Sequence, residues 1–441
     1  MRLSIPKVPA LLSGLAAALI AAIGGLSLAI PKPPETITMT TGGEKGLYYR
    51  FGSQLAEELA KDRITLKVLP SAGSAENLAR LNDREQKIDL ALLQGGVGTP
   101  TANPAISALA SVFDEQIWIF YRRQSFKEPP TQIAQLKNKR VSISVPGSGT
   151  RVLGIQLLEL SGLVAEGENK NLEILDMDAR ESLKSMLGKT LDAALLVAAP
   201  QTPIISEYLA NSELGLMQLV HADALALRLP FLKITSLPRG AIHLAQDLPR
   251  ADTKLLAATA TLVVHEDIHP ALITPILKAA DAALKKMQLL QPEGEFPSAL
   301  GFSWPHSEDA KEYLEQGPSF LYRHLPFWGA VWVERAIRLI VPLLVVLLPL
   351  MNYLPALIKA TVDARLAGLY KQLRDLEKRQ SEDSTVQWQR ELEALEKRVL
   401  GLRVPKKFAA ELYNLRLHIS MVRQRLMMEG VEKNHPSNRA S

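Results

Sequence analysis

Ile37-Thr-Met-Thr-Thr-Gly-Gly43 and Val141-Ser-Ile-Ser-Val-Pro-Gly-Ser-Gly-Thr150 are the two stretches whose likeness decides the fold. Each is a short apolar, β-branched run that ends in a glycine-rich turn and leads into an amphipathic stretch, the pattern of a strand, a tight turn and a helix. About fifty residues further on, each half reaches a matching phrase. One is Glu76-Asn-Leu78 followed by Ile88-Asp-Leu-Ala-Leu-Leu93, and the other is Glu181-Ser-Leu183 followed by Leu191-Asp-Ala-Ala-Leu-Leu196. The repeat reads as two similar α/β lobes. Ligands in open α/β sheets sit beyond the carboxyl ends of the strands, where these turns lie, so the expected shape is a clamshell with its cleft between the lobes.

Outward from the two turns, apolar runs alternate with amphipathic ones as far as about residue 300. Strands are expected at Thr36–Thr40, Ile64–Leu69, Ile88–Leu93, Gln116–Tyr121, Val141–Val145, Leu172–Leu175 and Leu191–Val197. Helices are expected at Leu47–Lys61, Ala75–Asn82 and Arg151–Ser161. The two-lobed domain is placed at 36–320, with its second lobe at about 123–230.

Two uncharged apolar runs flank that domain. Pro9–Ile30 follows Arg2 and Lys7 and reads as an uncleaved signal anchor, although Ser27-Leu28-Ala29 resembles a small-residue cleavage site. Leu339–Ile358 is long enough to span a bilayer as a helix, and Lys359, Arg365, Lys371 and Arg374 follow it, which favours a cytoplasmic tail. The expected order is an anchor and Pro-rich spacer at 1–35, the lobes outside, a juxtamembrane segment and second transmembrane helix at 321–358, and a cytoplasmic helical tail at 359–441. In that tail Leu366, Leu369, Leu373 and Leu376, then Leu392, Leu395, Val399 and Leu402, then Phe408, Leu412, Leu415, Ile419, Val422 and Leu426 repeat at coiled-coil spacing. A small bundle or a self-associating stalk is expected there.

The charge balance excludes a nucleic-acid footprint over the lobes. The chain carries +5, and the tail alone holds 17 Lys/Arg against 11 Asp/Glu, so the rest is close to neutral. The chain has no cysteine, which removes disulfides, thiolate metal sites and cysteine nucleophiles.

Glycine-rich turns at helix starts point backbone N–H groups at whatever occupies the cleft, and such groups hold anions. Thr41-Gly42-Gly43, Ser71-Ala-Gly-Ser74 and Ser148-Gly149-Thr150 each offer that geometry together with hydroxyls. None has P-loop spacing. His265-Glu-Asp-Ile-His269 matches a zinc-protease pattern, but an apolar strand runs into the first histidine and Pro270 follows the second, so no single helix can present both. No other catalytic set stands out, and no cofactor or metal is expected. Tyr48-Tyr49 stands beside the first turn, one ring for the core and one for the cleft, and Gln94 ends a strand as a polar contact.

Thr41-Gly-Gly-x-x-Gly-x-Tyr-Tyr49, Ser71-Ala-Gly-Ser-x-Glu-Asn-Leu78, the Asp89 phrase ending in Gln94, and Leu136-x-x-Lys-Arg-Val-x-x-x-Val-Pro-Gly-Ser-Gly-Thr-Arg151 together resemble the TAXI family. These are the extracytoplasmic solute receptors of TRAP (tripartite ATP-independent periplasmic) transporters. The resemblance covers roughly 36–290 and implies a type 2 periplasmic-binding fold, partner membrane subunits driven by an ion gradient, and small carboxylate ligands such as glutamate or 2-oxoglutarate. Gly317-Pro-Ser-Phe-Leu-Tyr-Arg-His-Leu-Pro-Phe-Trp328 resembles a membrane-anchored branch of the same family, while Arg50 stands where a proline is common.

The resulting expectation is a binding protein, not an enzyme, with both termini in the cytoplasm of a bacterium and the lobes in the periplasm. It binds a small organic anion for a TRAP-type transporter, or else signals ligand binding through its helical tail. Thr41, Gly42, Gly43, Ser74, Ser148, Gly149 and Thr150 are expected to supply donors. Tyr48 and Gln94 are expected to shape the pocket, and Arg151 to counter the ligand's charge.

Overall fold

Each half of the repeat builds the same parallel unit. In the first, β1 (Thr36–Thr40), α1 (Leu47–Lys61), β2 (Thr65–Leu69), α2 (Ser74–Asn82) and β3 (Leu90–Gln94) follow one another, and β1 pairs in parallel with both β2 and β3. A long strand, β4 (Ile106–Arg122), then leads into the second half. There β5 (Arg140–Ser142), α3 (Gly149–Leu160), β6 (Glu173–Leu175), α4 (Ala179–Leu187) and β7 (Ala193–Ala198) repeat the order, with β5 parallel to β6 and β7. The computed structural model describes residues 31–164, 170–292, 294–301, 304–379 and 385–433. Residues 32–333 form one compact unit, and those from Glu334 onward belong to another.

The repeated phrases have the same structural duty in both halves. Asp89 accepts the Thr38 N–H at 2.7 Å, and Asp192 accepts the Arg140 N–H at 3.0 Å, so each carboxylate fixes the neighbouring strand of its own lobe. The middle residues of the other phrase, Asn77 and Ser182, are both buried. Asn77 Oδ1 accepts from the Thr40 hydroxyl at 2.7 Å, and the Ser182 hydroxyl donates to Ser142 Oγ at 2.8 Å. Each therefore ties a helix start to the carboxyl end of the first strand in its lobe.

After β7 come α5 (Pro203–Ala210), β8 (Leu214–Leu216), α6 (Ala222–Arg228), β9 (Leu232–Leu237) and a second long strand, β10 (Thr253–His265). The sheet order is β2-β1-β3-β10-β4-β7-β5-β6, with β8 beside β4 and β9 beside β10. β4 and β10 pair antiparallel with each other and cross between the lobes. β10 pairs with β3 through Ala260–Val264 and with β9 through Thr253–Ala258, while β4 passes from β10 to β7 at Gln116. The second lobe is thus larger than the expected 123–230. Its cores draw in Ile117 from β4, and Leu232 and Ala258 from β9 and β10. Both crossing strands are mainly apolar on either side of the Asp114-Glu115-Gln116 triplet of β4, so no lasting change in composition marks the boundary.

The first lobe is closed by α7 (Ile273–Met287) and α8 (Glu308–Gln316). Phe51, Leu55 and Leu59 form one buried stripe of α1 at four-residue spacing, and they share a core with Ile276, Ala280 and Ala283 of α7. Gly52 permits this seat: a Cβ there would lie 2.8 Å from Thr41 Cγ2 and 3.0 Å from Val68 Cγ1. The histidine pair does not share a helix. β10 ends at His265, and His269 caps a short 3-10 turn at Pro270–Leu272, its Nδ1 accepting the Ala271 N–H.

A short helix, α9 (Phe320–His324), and a long one, α10 (Phe327–Arg379), follow. α10 contains the second apolar run, with Pro342, Pro349 and Pro355 inside it. Among the described residues no helix is long and apolar enough to cross a membrane. The first run, Pro9–Ile30, lies outside the described residues, as do the side chains of nine positions between 343 and 358. Neither expected span is therefore established.

In the tail, α11 (Thr385–Leu400) and α12 (Ala409–Lys433) pack with the end of α10. Leu373, Leu376, Leu392, Leu395, Val399, Leu412, Leu415 and Ile419 are buried among themselves, and the Trp388 indole N–H donates to Leu376 O at 2.6 Å. The heptad positions find their partners within one chain, so the spacing encodes an intrachain helical bundle and not an established coiled coil between chains. The Leu426 side chain lies outside the described set.

Asp192 is the most heavily used carboxylate of the second lobe, accepting from Arg140 Nε, Arg140 Nη2, Arg122 Nη2 and Ser125 Oγ in addition to the Arg140 N–H. Burial alone raises a carboxyl pKa, but the Arg140, Ser125 and Arg122 bonds outweigh it and hold this one well below the usual range. Asp192→Ala leaves two guanidinium groups without their anion. Removing one member of a buried pair costs about 3–5 kcal/mol, and the lower end is expected here because Arg140 is 35% exposed. Urea unfolding of the variant checks this; a loss under about 1 kcal/mol, the scale of an exposed pair, contradicts it.

Candidate functional site

The glycine-rich turns open three helices at one cavity. Gly42, Gly46 and Tyr48 at the start of α1, Gly73 and Ser74 at the start of α2, and Ser148, Gly149 and Thr150 at the start of α3 all line it. The cavity measures about 620 Å³ and is completed by Gln94, Glu115, Ser142, Met177, Asp178, Arg180 and the end of β7 from Leu195 to Ala198. First N–H groups of a helix have no intrahelical acceptor, and each helix start carries partial positive charge.

The starts of α2 and α3 come from opposite lobes and touch. Glu76 N donates to Gly147 O at 3.0 Å. A Cβ on Gly73 would stand 3.1 Å from Ser148 Cα, and Gly73 has φ +134°, so both space and backbone require glycine there. Gln94 crosses between the lobes as well: its Nε2 donates to Gly149 O at 3.3 Å, and a Cβ at Gly149 would lie 2.8 Å from its Oε1.

Seven of the ten expected contact residues line the cavity, and Thr41, Gly43 and Arg151 do not. Thr41 is fully buried, and its hydroxyl donates to Leu69 O at 2.9 Å. Arg151 pairs with Asp176, so it is a partner for its own lobe and not a counter-charge in the cavity. The expected hydroxyl donors are also largely engaged. Ser148 Oγ accepts the Arg151 N–H at 3.1 Å and donates to Val145 O at 2.8 Å, acting as the cap of α3. Ser74 Oγ accepts the Gln94 N–H at 2.9 Å and donates to the Tyr48 hydroxyl at 3.4 Å. What the turns offer a ligand is mainly backbone N–H. Two further helices, α4 and α5, also begin at the cavity, and the start of α4 is closed by its own acid: Asp178 accepts the Arg180 and Glu181 N–H groups, both at 2.8 Å.

Glu115, absent from the sequence expectation, is a strongly perturbed group of the cavity wall. It lies in β4 at the crossing between lobes, is 6% exposed, and accepts the Tyr48 hydroxyl at 2.7 Å. Burial pushes its carboxyl up to about 8; the Tyr48 bond opposes this, and the neighbouring Asp114 adds to it. Tyr48 is itself raised well above a free phenol, first by burial and then by Glu115. A signal was present in the sequence: Asp114-Glu115-Gln116 interrupts a strand that is otherwise almost wholly apolar.

This displacement has a sign. A folded-state carboxyl at about 8 against 4.5 for the free group contributes stability that is complete below pH 4.5 and is lost as pH rises through 8. Glu115→Gln removes that loss. The stability of the variant relative to wild type should therefore improve between pH 4.5 and 8, at up to about 1.4 kcal/mol per pH unit, and level off above. Denaturant unfolding across that range measures it, and a difference that stays flat with pH contradicts the assignment.

A model of the NMT1-like family matches residues 39–294. Among solved structures, the periplasmic aliphatic sulphonate binding protein SsuA from Escherichia coli is similar at 13% identity, with 58% of this chain and 74% of that chain covered and a TM-score of 0.36. The holo arginine-binding protein ArgBP from T. maritima is similar at 12% identity, over 58% of this chain and 91% of that chain, with a TM-score of 0.34. The family match takes in both lobes and all three glycine-rich turns, and it spans more than half of the sequence: the chain belongs to the NMT1-like family.

Proposed function

We propose that this protein is an extracytoplasmic solute receptor of the TAXI type, which closes its two lobes on a small organic anion and presents it to a TRAP-type transporter. The observation that carries the reading is the meeting of the α2 and α3 starts, one from each lobe, with Glu76 N bonded to Gly147 O at 3.0 Å over a common cavity. Two helix N-termini in contact repel each other, and an anion shared between them removes that repulsion and gains bonds from both. An anion held in this way favours the closed arrangement by its differential affinity for closed over open. The order of the four motifs supports the TAXI assignment. No constellation of nucleophile and base lines the cavity among the described residues, and we read the site as binding and not catalysis.

The uncharged runs Pro9–Ile30 and Leu339–Ile358 support an anchored receptor, with the lobes in the periplasm and both termini in the cytoplasm. Exposed apolar side chains on α10, among them Val345 at 66% and Leu348 at 60%, fit contact with lipid. A second reading, a membrane-bound sensor, draws on the buried core of the helical tail, which gives a cytoplasmic partner a rigid surface.

Gly149→Val should abolish measurable anion binding, because its side chain occupies the place of the Gln94 amide. Ser74→Ala leaves the buried Gln94 N–H without an acceptor and should weaken binding by about 1–3 kcal/mol, while Leu415→Ala in the tail leaves affinity unchanged. Calorimetry with a panel of carboxylates decides it; unaltered affinity in both cavity variants puts the ligand elsewhere. Reporter fusions should place residue 200 outside and residue 441 inside, and a tail found outside overturns the topology.

A further inference from the structure

Deepening the anion reading, and resting on it, we propose that Glu115 selects the ligand as a neutral carboxylic acid: it keeps its proton and donates it in a hydrogen bond to the ligand's carboxylate.

Burial and the neighbouring Asp114 favour the protonated form of Glu115, and they outweigh the Tyr48 hydroxyl, which favours the ionised one. Its carboxyl lies on the cavity wall, 94% removed from solvent, and the Tyr48 hydroxyl donates to Oε2 at 2.7 Å. No bond from a described residue reaches Oε1. Next to it on β4 stands Asp114, a like charge whose own partners are Lys233 of β9 at 2.6 Å and Thr259 of β10 at 2.9 Å. Lys233 also meets Glu295 at 3.4 Å, so this cation is engaged by two other carboxylates. The remaining charged groups of the cavity wall are Lys45 before α1, and Asp178 and Arg180 at α4. Asp178 caps its helix, and Arg180 pairs with Glu207 at 3.0 Å. From α3 the nearest cation, Arg151, is turned to Asp176.

An ionised carboxylate buried with one neutral donor is costly, whereas the acid form keeps Oε2 as the acceptor for Tyr48 and carries its proton on Oε1 at the cavity. A carboxylate ligand drawn by the helix starts then meets one further donor. An O–H to a carboxylate oxygen is a short, charge-assisted bond, stronger than any neutral contact the cavity offers. The proton stays on Glu115 throughout and no bond is broken. The arrangement discriminates: a ligand that brings an ammonium or another cation to this wall requires Glu115 to ionise and gains nothing from an acid.

Calorimetric titration of the full-length chain with succinate and 2-oxoglutarate, both fully ionised over the range, and with putrescine as the cationic probe, tests this between about pH 6.5 and 9.5. Carboxylate affinity should hold up to about pH 8 and then fall about tenfold per unit, an overall loss of about 30-fold between pH 7 and 9.5. Glu115→Gln carries a permanent N–H donor, so its affinity should change less than about threefold over the same interval. A carboxylate that binds with affinity flat in pH, or putrescine binding that strengthens with pH and vanishes in Glu115→Gln, overturns the role given to Glu115 and leaves the receptor reading standing. Failure of every carboxylate probe to bind at any pH overturns the receptor reading beneath it.

Discussion

The pairing of β4 with β10 is the constraint on which the rest of the molecule depends. The two strands run antiparallel from Ala257–Gln116 to His265–Ile106, and each is shared by both lobes. The lobes of a clamshell built this way move about this pair, because among the described residues no other strands pass from one core to the other. The pairing contains register shifts between Ala260 and Thr261 and between Leu262 and Val263, bulges of the kind that let a strand bend. It also carries Glu115, the middle residue of the Asp114-Glu115-Gln116 triplet, to the wall of the cleft. Asp114 and Glu115 face different neighbours there, one tied to Lys233 and Thr259, the other to Tyr48. Period-two alternation thus separates a structural carboxylate from one that the cavity can use.

Given that hinge, the glycine-rich turns follow. Gly73 and Gly149 allow backbone to approach backbone and the Gln94 amide to reach across. The bonds that fix Thr41, Ser74 and Ser148 hold the turns in shape, so the helix starts present N–H groups without rearrangement. Binding sites of this kind lose little entropy when the ligand arrives, because the donors are already oriented.

The parts of the fold that rest on local pattern were legible in the sequence. α1 falls at Leu47–Lys61 as its periodicity indicates, and the repeated phrases prove to be matching ties, Asp89 and Asp192 between strands and Asn77 and Ser182 between helix and strand. The parts that rest on tertiary context were not legible. β4 begins ten residues before the expected Gln116, because a strand buried on both faces shows no alternation. The second lobe's end at β9 and β10 is invisible for the same reason. At the site, residue type was a good guide to location and a poor one to role. Ser148 and Thr41 carry hydroxyls suited to a ligand, yet nearby carbonyls take them first. Arg151 stands one residue beyond the α3 turn but pairs with Asp176, and the resemblance alone could not reveal that. In the tail, heptad spacing identified the buried positions but not whether the partner helix lay in the same chain.

The central claim is that one anion draws both lobes together through the α2 and α3 starts. The chain has no cysteine, so a pair introduced by Lys67→Cys on β2 and Glu173→Cys on β6 takes spin labels at those two exposed sites alone. The distance distribution between them, measured by pulsed electron resonance with and without a bound carboxylate, reads lobe closure directly. The account predicts a longer, broader distribution in the free protein that collapses to a shorter, narrow one on binding. A distribution that stays the same while the ligand is demonstrably bound would contradict it.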